Sequence, residues 1–529
     1  MLLYSQCTMN LHSIDIAIIL TYCIGIIGLA LWVSREKDGK EKDSQSYFLA
    51  DRTLPWWAIG ASLIAANISA EQIIGMSGSG YAIGLAISAY EWMAAITLII
   101  VGKYFIPIFL KKKIYTMPEF LEQRYDHRVR MILGIFWLAV YVFVNLTSVM
   151  YLGGLAINTI TGISLQTGIV GLAIFSIIYS IYGGLKAVAL TDIIQVIMLS
   201  FGGIIITYLS LNKVADGAGA IEGFSILLDQ ASSRFDLILS KGHPFYGDLP
   251  GVSVLVGGMW IMNLSYWGFN QYITQRALAA KSLDEAQKGI AFAGYLKMIM
   301  PLIIVIPGIA AYLIDPSLDP ADKAYPTLMT LVPVGLKGLV FAALIAAIVS
   351  SLSSMANSIS TIFTMDLYKR FWVKDASEKQ LVKVGRIVAV VSFAIAVIIA
   401  KPMLGNLKQA FQFIQEFTGF FTPGIVAIFV MGVFYKKTNA NGALAAALGS
   451  LALSIGMKMG MPNYPFMDRM GVVFIFSVVV AWAFSYFQGN QDHPKAIDLN
   501  DVSFKTSKGF NIATAGIVLS LIALYATWW

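Results

Sequence analysis

Charge is scarce in this chain. Only 13% of its 529 residues are Asp, Glu, Lys or Arg, against roughly 25% in ordinary soluble domains, too few to coat a water-facing surface. Cysteine is almost missing, and Cys7 with Cys23 cannot build a disulfide framework. The four histidines, His12, His127, His243 and His493, stand apart without ligand spacing, which argues against a structural metal. No GxxxxGK[ST] phosphate loop occurs, so nothing points to nucleotide-driven work. Nor is there a constellation of nucleophile, base and metal, and the chain is not expected to be an enzyme. No Lys or Arg precedes the first apolar run, so it lacks the basic lead of a signal peptide and is expected to remain as a span.

What is abundant is apolar sequence, 57% of the chain. Runs long enough to cross a hydrocarbon core of roughly 30 Å recur at about 13–34, 55–81, 83–110, 129–158, 163–183, 185–212, 252–273, 284–314, 337–366, 382–400, 405–435, 439–459, 467–488 and 507–528. The expected fold class is an all-α polytopic membrane protein with about fourteen transmembrane helices, with no room for a second soluble domain. Roughly two thirds of the 37 basic residues fall in one alternating set of loops, including Lys111 to Arg130, Arg276 with Lys281, and Lys369 to Arg386. Cytoplasmic loops carry such an excess. The orientation that follows puts both termini on the extracytoplasmic side of a cell (inner) membrane. The net charge of +7 reflects this sorting and forms no basic stripe with interleaved aromatics, so nucleic acid is not an expected partner. The long outside loop, Lys213 to Gly251, has helical spacing from Phe224 to Ile238 and reads as an external cap.

Hydrogen-bonding side chains at bilayer depth are costly, and they mark substrate or ion paths. The second span holds Asn67, Ser69, Glu71 and Gln72, followed by Gly75-Met76-Ser77-Gly78-Ser79-Gly80; the seventh holds Asn263, Ser265, Tyr266, Gly268, Asn270 and Gln271. Both read as helices unwound in mid-membrane, which is tolerated only where protein or a water-filled cavity satisfies the freed backbone. They are the first and sixth helices of a block over residues 55–435, the arrangement of inverted repeats with a site between the breaks. The division that follows is 1–54, a leading helix and cytoplasmic loop; 55–212, a first five-helix repeat; 213–251, the outside loop; 252–435, a second five-helix repeat; and 436–529, three peripheral helices. The plainer reading is that Gly and Ser only let helices pack closely. In the ninth span Ser350, Ser353 and Ser354 share a helical face, and Ala347 lies one turn from Ser351. Neutral oxygens so arranged suit a weakly held Na+, although serines in membrane helices also bond back to their own carbonyls. Glu91, Asp192, Lys297, Gln415 and Glu416 are the further polar candidates, with Glu91 and Lys297 in spans that line one cavity, and Asp192 and Glu416 nearer the interfaces.

Longer motifs carry a resemblance. Phe48-Leu49-Ala50, Leu54-Pro55-Trp56-Trp57-Ala58, Tyr90-Glu91-Trp92-Met93, Asn145-Leu146-Thr147-Ser148-Val149, Tyr266-Trp267-Gly268-Phe269-Asn270-Gln271-Tyr272 and Phe363-Thr364-Met365-Asp366 make the chain similar to the sodium/solute symporter family, on the side of its bacterial sodium/galactose members. The resemblance implies a LeuT-type core of two inverted five-helix repeats and uptake of a galactose- or glucose-like hexose driven by Na+. It implies a sugar site of Gln72, Glu91, Asn263, Lys297 and Gln415. Tyr266 is the implied inner gate, bonded to Asn67, and Met76, Tyr90 and Phe411 the outer gate. The implied Na+ ligands are the carbonyls of Ala65, Ile68 and Ala347 with the hydroxyls of Ser350 and Ser351. Members with a second Na+ suggest Asp192, Ser350, Ser353 and Ser354 for another ion. Where sugar members carry serine this chain has Ala94, a lost hydrogen bond of about 0.5–1.5 kcal/mol, so myo-inositol, sialic acid or an uncoupled sugar uniporter or sensor stay open. A monomer is expected to suffice in the lipid bilayer, with a dimer left open.

Overall fold

The computed structural model describes residues 11–33, 52–114, 116–405 and 410–529, without the side chains of 27, 30, 31, 33 and 181–192. Phe48-Leu49-Ala50 and the Asp192 side chain lie outside this set. The described chain is helical, with one isolated bridge between Leu54 and Ala280. Among the described residues nine helices are long and apolar enough to cross a membrane, or eleven when each of two bent pairs counts as one span. Ser13–Ile26 and Leu165–Ser180 are shorter apolar helices. The seventh expected span is a chain of short pieces, Ser253–Val256, Gly258–Leu264, Ser265–Phe269 and Gln271–Leu278.

Three details depart from the sequence reading. Leu165–Val214 keeps helical hydrogen bonding through 50 residues where two spans were expected; it has no proline to break it, and at about 1.5 Å per residue it has the length of two crossings. The cap helix is Ala220–Gln230, not Phe224 to Ile238: Gly219, at φ 110°, lets the chain turn into it early, and it gives way to a single 3-10 turn at Ser232–Arg234. Arg276, assigned to an inner loop, is fully buried.

Burial ranks the helices. In Leu336–Trp372, 94% of the apolar window is buried, against 11% in Lys508–Thr527, so the serine-bearing span is central and the last helix peripheral. Leu283–Ile314 lies against both halves of the first broken helix. A Cβ on Gly60 would stand 2.7 Å from the Gly289 carbonyl, and one on Gly308 would stand 2.2 Å from the Ser77 carbonyl. Only glycine permits backbones this close, and the approach brings Lys297 to the break. Arg234 of the cap donates to the carbonyls of Tyr81 (2.5 Å) and Ala82 (3.0 Å), the free end of that helix, while stacking on Tyr312. On a short loop helix, Met117–Arg124, Glu122 meets Arg130 (2.5 Å) and Arg370 (2.6 Å), and Arg130 also meets the fully buried Asp366 (2.5 Å). Burial alone would raise the Glu122 carboxyl, but the two guanidiniums outweigh it and hold the group below its ordinary range.

Candidate functional site

Both helix breaks are closed by side chains from their own neighbourhood. In the first, helix Trp56–Asn67 stops at Ile68, whose backbone is extended, and the chain resumes as a π-helix at Glu71–Met76. The two halves are bent by 62°. Gln72 Oε1 accepts from the Ser69 N–H (3.1 Å) and hydroxyl (3.0 Å), while the Ser69 hydroxyl accepts from the Glu71 N–H (3.1 Å). This is the reciprocal capping of a helix start. With its N–H turned to Gln72, Ser69 no longer serves the Ala65 carbonyl one turn back. In the second break Asn270 is extended. Tyr141 bridges it, donating to Asn270 Oδ1 (2.7 Å) and accepting from the Gln271 N–H (2.8 Å).

Between the breaks lies a cavity of about 540 Å³, its mouth included. All ten residues expected as sugar ligands or gates line it: Gln72, Glu91, Asn263, Lys297 and Gln415 with Met76, Tyr90, Phe411, Tyr266 and Asn67. Lys297 is 1% exposed and Glu91 3%; they form an ion pair, and the same ammonium donates to Asn67 Oδ1. Asn67 then donates to the Tyr266 hydroxyl (3.0 Å), which also accepts from Tyr272 (2.8 Å). With both acceptor positions used, the Tyr266 hydroxyl keeps its proton for another partner. Lys297 Nζ stands 5.1 Å from the centre of the Trp267 ring, a cation–π approach. On one side the cavity is lined by Tyr90 and Phe411, edge to face at 5.2 Å, with Met76 buried beside them. On the other side Tyr266 separates it from a second, smaller space lined by Tyr141, Ser265 and Asn270.

Of the expected Na+ ligands, Ser351 on the central helix and Ala65 before the first break are in contact. The Ser351 hydroxyl lies 3.4 Å from the Ala65 carbonyl and 3.1 Å from that of Ala66. Ile68 sits at the break, and Ala347 and Ser350 are buried on the facing helix. Arg276 pins the junction, donating to the Ser62 carbonyl (3.0 Å) and hydroxyl (2.8 Å), to the Tyr272 carbonyl and to the Ser354 hydroxyl. Ser353 carries a buried hydroxyl that meets no partner among the described residues.

Sequence reasoning named Glu71 among the polar residues of the first break but gave it no role, and it passed over Asn145 and Trp267; all three line the cavity. π-Helical turns often sit at functional sites, and Asn145 and Trp267 lie on two of them, Val140–Leu146 and Ser265–Phe269, which no apolar periodicity announces. A second bend of 44° separates Ala410–Thr418 from Thr422–Phe434; Gly419 and Pro423 were its signal. Glu416 stands in an ion-pair cluster with Lys458 (2.6 Å) and Arg469 (2.7 Å) and is not among the residues lining the cavity.

The sodium:solute symporter family model matches residues 47–449. The chain is 53% identical to a sodium/glucose cotransporter of Vibrio parahaemolyticus, over 98% of this chain and 99% of that one. It is 34% identical to sodium/myo-inositol cotransporter 2 of Homo sapiens, over 83% of this chain and 69% of the relative. Among solved structures, a substrate-bound, outward-open Na+-coupled sialic acid symporter matches with a TM-score of 0.80 at 24% identity, covering 90% of this chain and 98% of the other. At that identity the likeness carries the fold, and the LeuT-type class that the resemblance implied holds. The chain belongs to the sodium:solute symporter family, a multi-pass membrane transporter with Na+ as coupling ion and not an enzyme.

Proposed function

We propose that the chain couples inward Na+ movement to uptake of a galactose- or glucose-like hexose by alternating access. The observation that carries this is one cavity between the two breaks that amide, carboxylate and ammonium groups line together with the aromatic rings of Tyr266 and Trp267. A sugar needs donors and acceptors for its hydroxyls and an aromatic face for its CH surface. Gln72, Glu91, Asn263, Lys297 and Gln415 are the proposed hydroxyl partners. Met76, Tyr90 and Phe411 are the outer gate, and Tyr266 with Asn67 the inner one. Na+ binds first, at the Ala65, Ile68 and Ala347 carbonyls and the Ser350 and Ser351 hydroxyls; the sugar closes the outer gate, and rocking of one helix bundle opens the other side. A tenfold gradient is worth ~1.4 kcal/mol and 100 mV ~2.3, so each coupled Na+ supplies ~3.7 kcal/mol, enough for roughly 500-fold accumulation.

The orientation puts both termini outside a cell (inner) membrane, the division into two five-helix repeats follows the boundaries given above, and a monomer suffices. The test is uptake into proteoliposomes across a panel of galactose, glucose, myo-inositol and sialic acid, with and without a Na+ gradient. Sodium-driven accumulation of a hexose is the expected result. Preference for myo-inositol, in keeping with the human relative and with Ala94 on the cavity wall, moves the cargo within the family. Counterflow undiminished without Na+ makes it a uniporter or sensor.

A second Na+ at Asp192, Ser350, Ser353 and Ser354 is supported by the partnerless Ser353 hydroxyl. Ser354 already serves Arg276, so that ion is held by one hydroxyl fewer. The expected outcome is a Hill coefficient for Na+ near two that falls to about one in Ser353→Ala. A coefficient near one in both chains removes the second ion.

A further inference from the structure

Glu71 is a carboxyl group that the transport scheme leaves without a task. It is 6% exposed, lines the cavity, and sits on the π-turn that follows the first break. Charged and titratable groups approach its turn from every side. Lys297 is committed to Glu91 and Asn67. Lys323 is bonded to the Asp319 carbonyl, Asp322 to the Ala410 N–H, and Glu416 to Lys458 and Arg469. The remaining titratable side chains are the phenols Tyr90, Tyr151, Tyr266, Tyr272 and Tyr325. Among the described residues no cation pairs with Glu71.

Its partner is the Ser148 hydroxyl, whose oxygen also stands 2.9 Å from the Asn145 carbonyl. A serine hydroxyl has one proton and a carbonyl has none to give. If Ser148 donates to a Glu71 carboxylate, the Asn145 carbonyl loses that proton; if Ser148 donates to the Asn145 carbonyl, the acid proton of Glu71 serves the hydroxyl, and only this second arrangement satisfies all three groups. The cavity charge leads to the same place. Glu91 and Lys297 cancel, so the cavity is neutral only when Glu71 is an acid, and an unpaired buried carboxylate is strongly disfavoured.

We propose that Glu71 holds a dissociable proton in the substrate cavity, that the neutral acid is the sugar-binding form, and that raising the pH weakens sugar binding by releasing this proton to water through the cavity. Ionisation turns a donor into an acceptor-only group. It also gives Lys297 a second anion to serve, at the expense of Glu91 and Asn67. The inference rests on the sugar reading above.

The test is sugar uptake in proteoliposomes at equal pH on both sides and a fixed Na+ gradient. The sugar KM is expected to rise about tenfold or more from about pH 6 to about pH 9, and Glu71→Gln is expected to flatten this dependence to within about twofold, whatever its absolute KM. A merely structural carboxyl would not give a pH profile that its amide abolishes. An infrared band of a protonated carboxylic acid at neutral pH, kept in Glu91→Gln and lost in Glu71→Gln, is the second readout and needs no transport. A pH-independent KM in the native chain, or a slope that survives Glu71→Gln, overturns the proposal. So does a weakened Na+ dependence in Glu71→Gln with the sugar slope intact, which would make the carboxylate the counter-charge of the ion. If no sugar enters at any pH, the sugar reading fails, and the infrared band decides the proton separately.

Discussion

Lys297→Met is expected to abolish concentrative sugar uptake and to destabilise the fold. The substitution removes a cation that is 1% exposed and leaves Glu91, 3% exposed, as an uncompensated carboxylate. Breaking a buried pair from one side costs about 3–5 kcal/mol, which at 1.4 kcal/mol per decade is roughly a hundred- to several-thousand-fold loss if it falls on binding. The same ammonium orients Asn67, and through it the Tyr266 hydroxyl, so the loss is expected to reach the proposed inner gate as well as the proposed sugar contacts. The double substitution Glu91→Gln with Lys297→Met separates the two roles, because removing both charges of a buried pair is often close to neutral for stability. The double variant should regain most of the thermal stability that the single one loses while remaining unable to transport. Equal stability losses in the single and double variants, measured by tryptophan fluorescence on heating in detergent, would show that the pair is not energetically coupled.

The second large effect is expected far from the cavity, at Asp366. Its buried Oδ1 receives Arg130 Nε at 2.8 Å and the Thr116 hydroxyl at 2.9 Å. Arg130 in turn binds Glu122, which binds Arg370, so one carboxylate ties the π-helical end of the central span to a loop helix and to the start of the next span. Asp366→Asn weakens the charged bonds and leaves Glu122 as the one carboxylate of the cluster paired with Arg130, an expected loss of about 3 kcal/mol. The unfolding midpoint should fall by roughly 3 °C, and an unchanged midpoint would refute this. The pH dependence has a definite sign. Glu122 titrates below its ordinary value, so its contribution is present above about pH 4.3, the unperturbed Glu value, and disappears as the pH falls through the depressed one.

Much of the site was legible because polar side chains at bilayer depth are rare enough to stand out one by one. Asn67 and Gln72 come from one span and Glu91, Asn263, Lys297 and Gln415 from four others, yet they meet in one cavity. The two breaks were legible for the same reason, from clustered polar residues with Gly and Ser between them. What stayed hidden depends on three-dimensional neighbours. Arg276 looked like an inner-loop charge, and only the packed structure surrounds it with Ser62, Tyr272 and Ser354. Arg124 was likewise counted among the loop charges, but it is 1% exposed and donates to the Gly432 carbonyl (2.6 Å) and to that of Tyr435 (3.1 Å) at the end of helix Thr422–Phe434. Asn145 and Trp267 sat unremarked within longer motifs, because a π-turn rotates the side chains after it without leaving a trace in composition. The unbroken Leu165–Val214 escaped because two apolar stretches joined by a Gly pair read the same whether or not the backbone bonds run through.

The junction held by Arg276 has an energetic scale of its own. Three described hydrogen bonds link the central helix to the broken ones across it: Ser351 to the Ala66 carbonyl, Ser358 to Gln275, and Arg276 to Ser354. Two neutral bonds at about 0.5–1.5 kcal/mol each and one to a charged group at about 1.5–3 amount to roughly 2.5–6 kcal/mol. A single Na+ descending its gradient delivers ~3.7 kcal/mol, the same order of magnitude. The polar fastening of this seam is therefore of the same order as the free energy that one ion's descent supplies under those conditions.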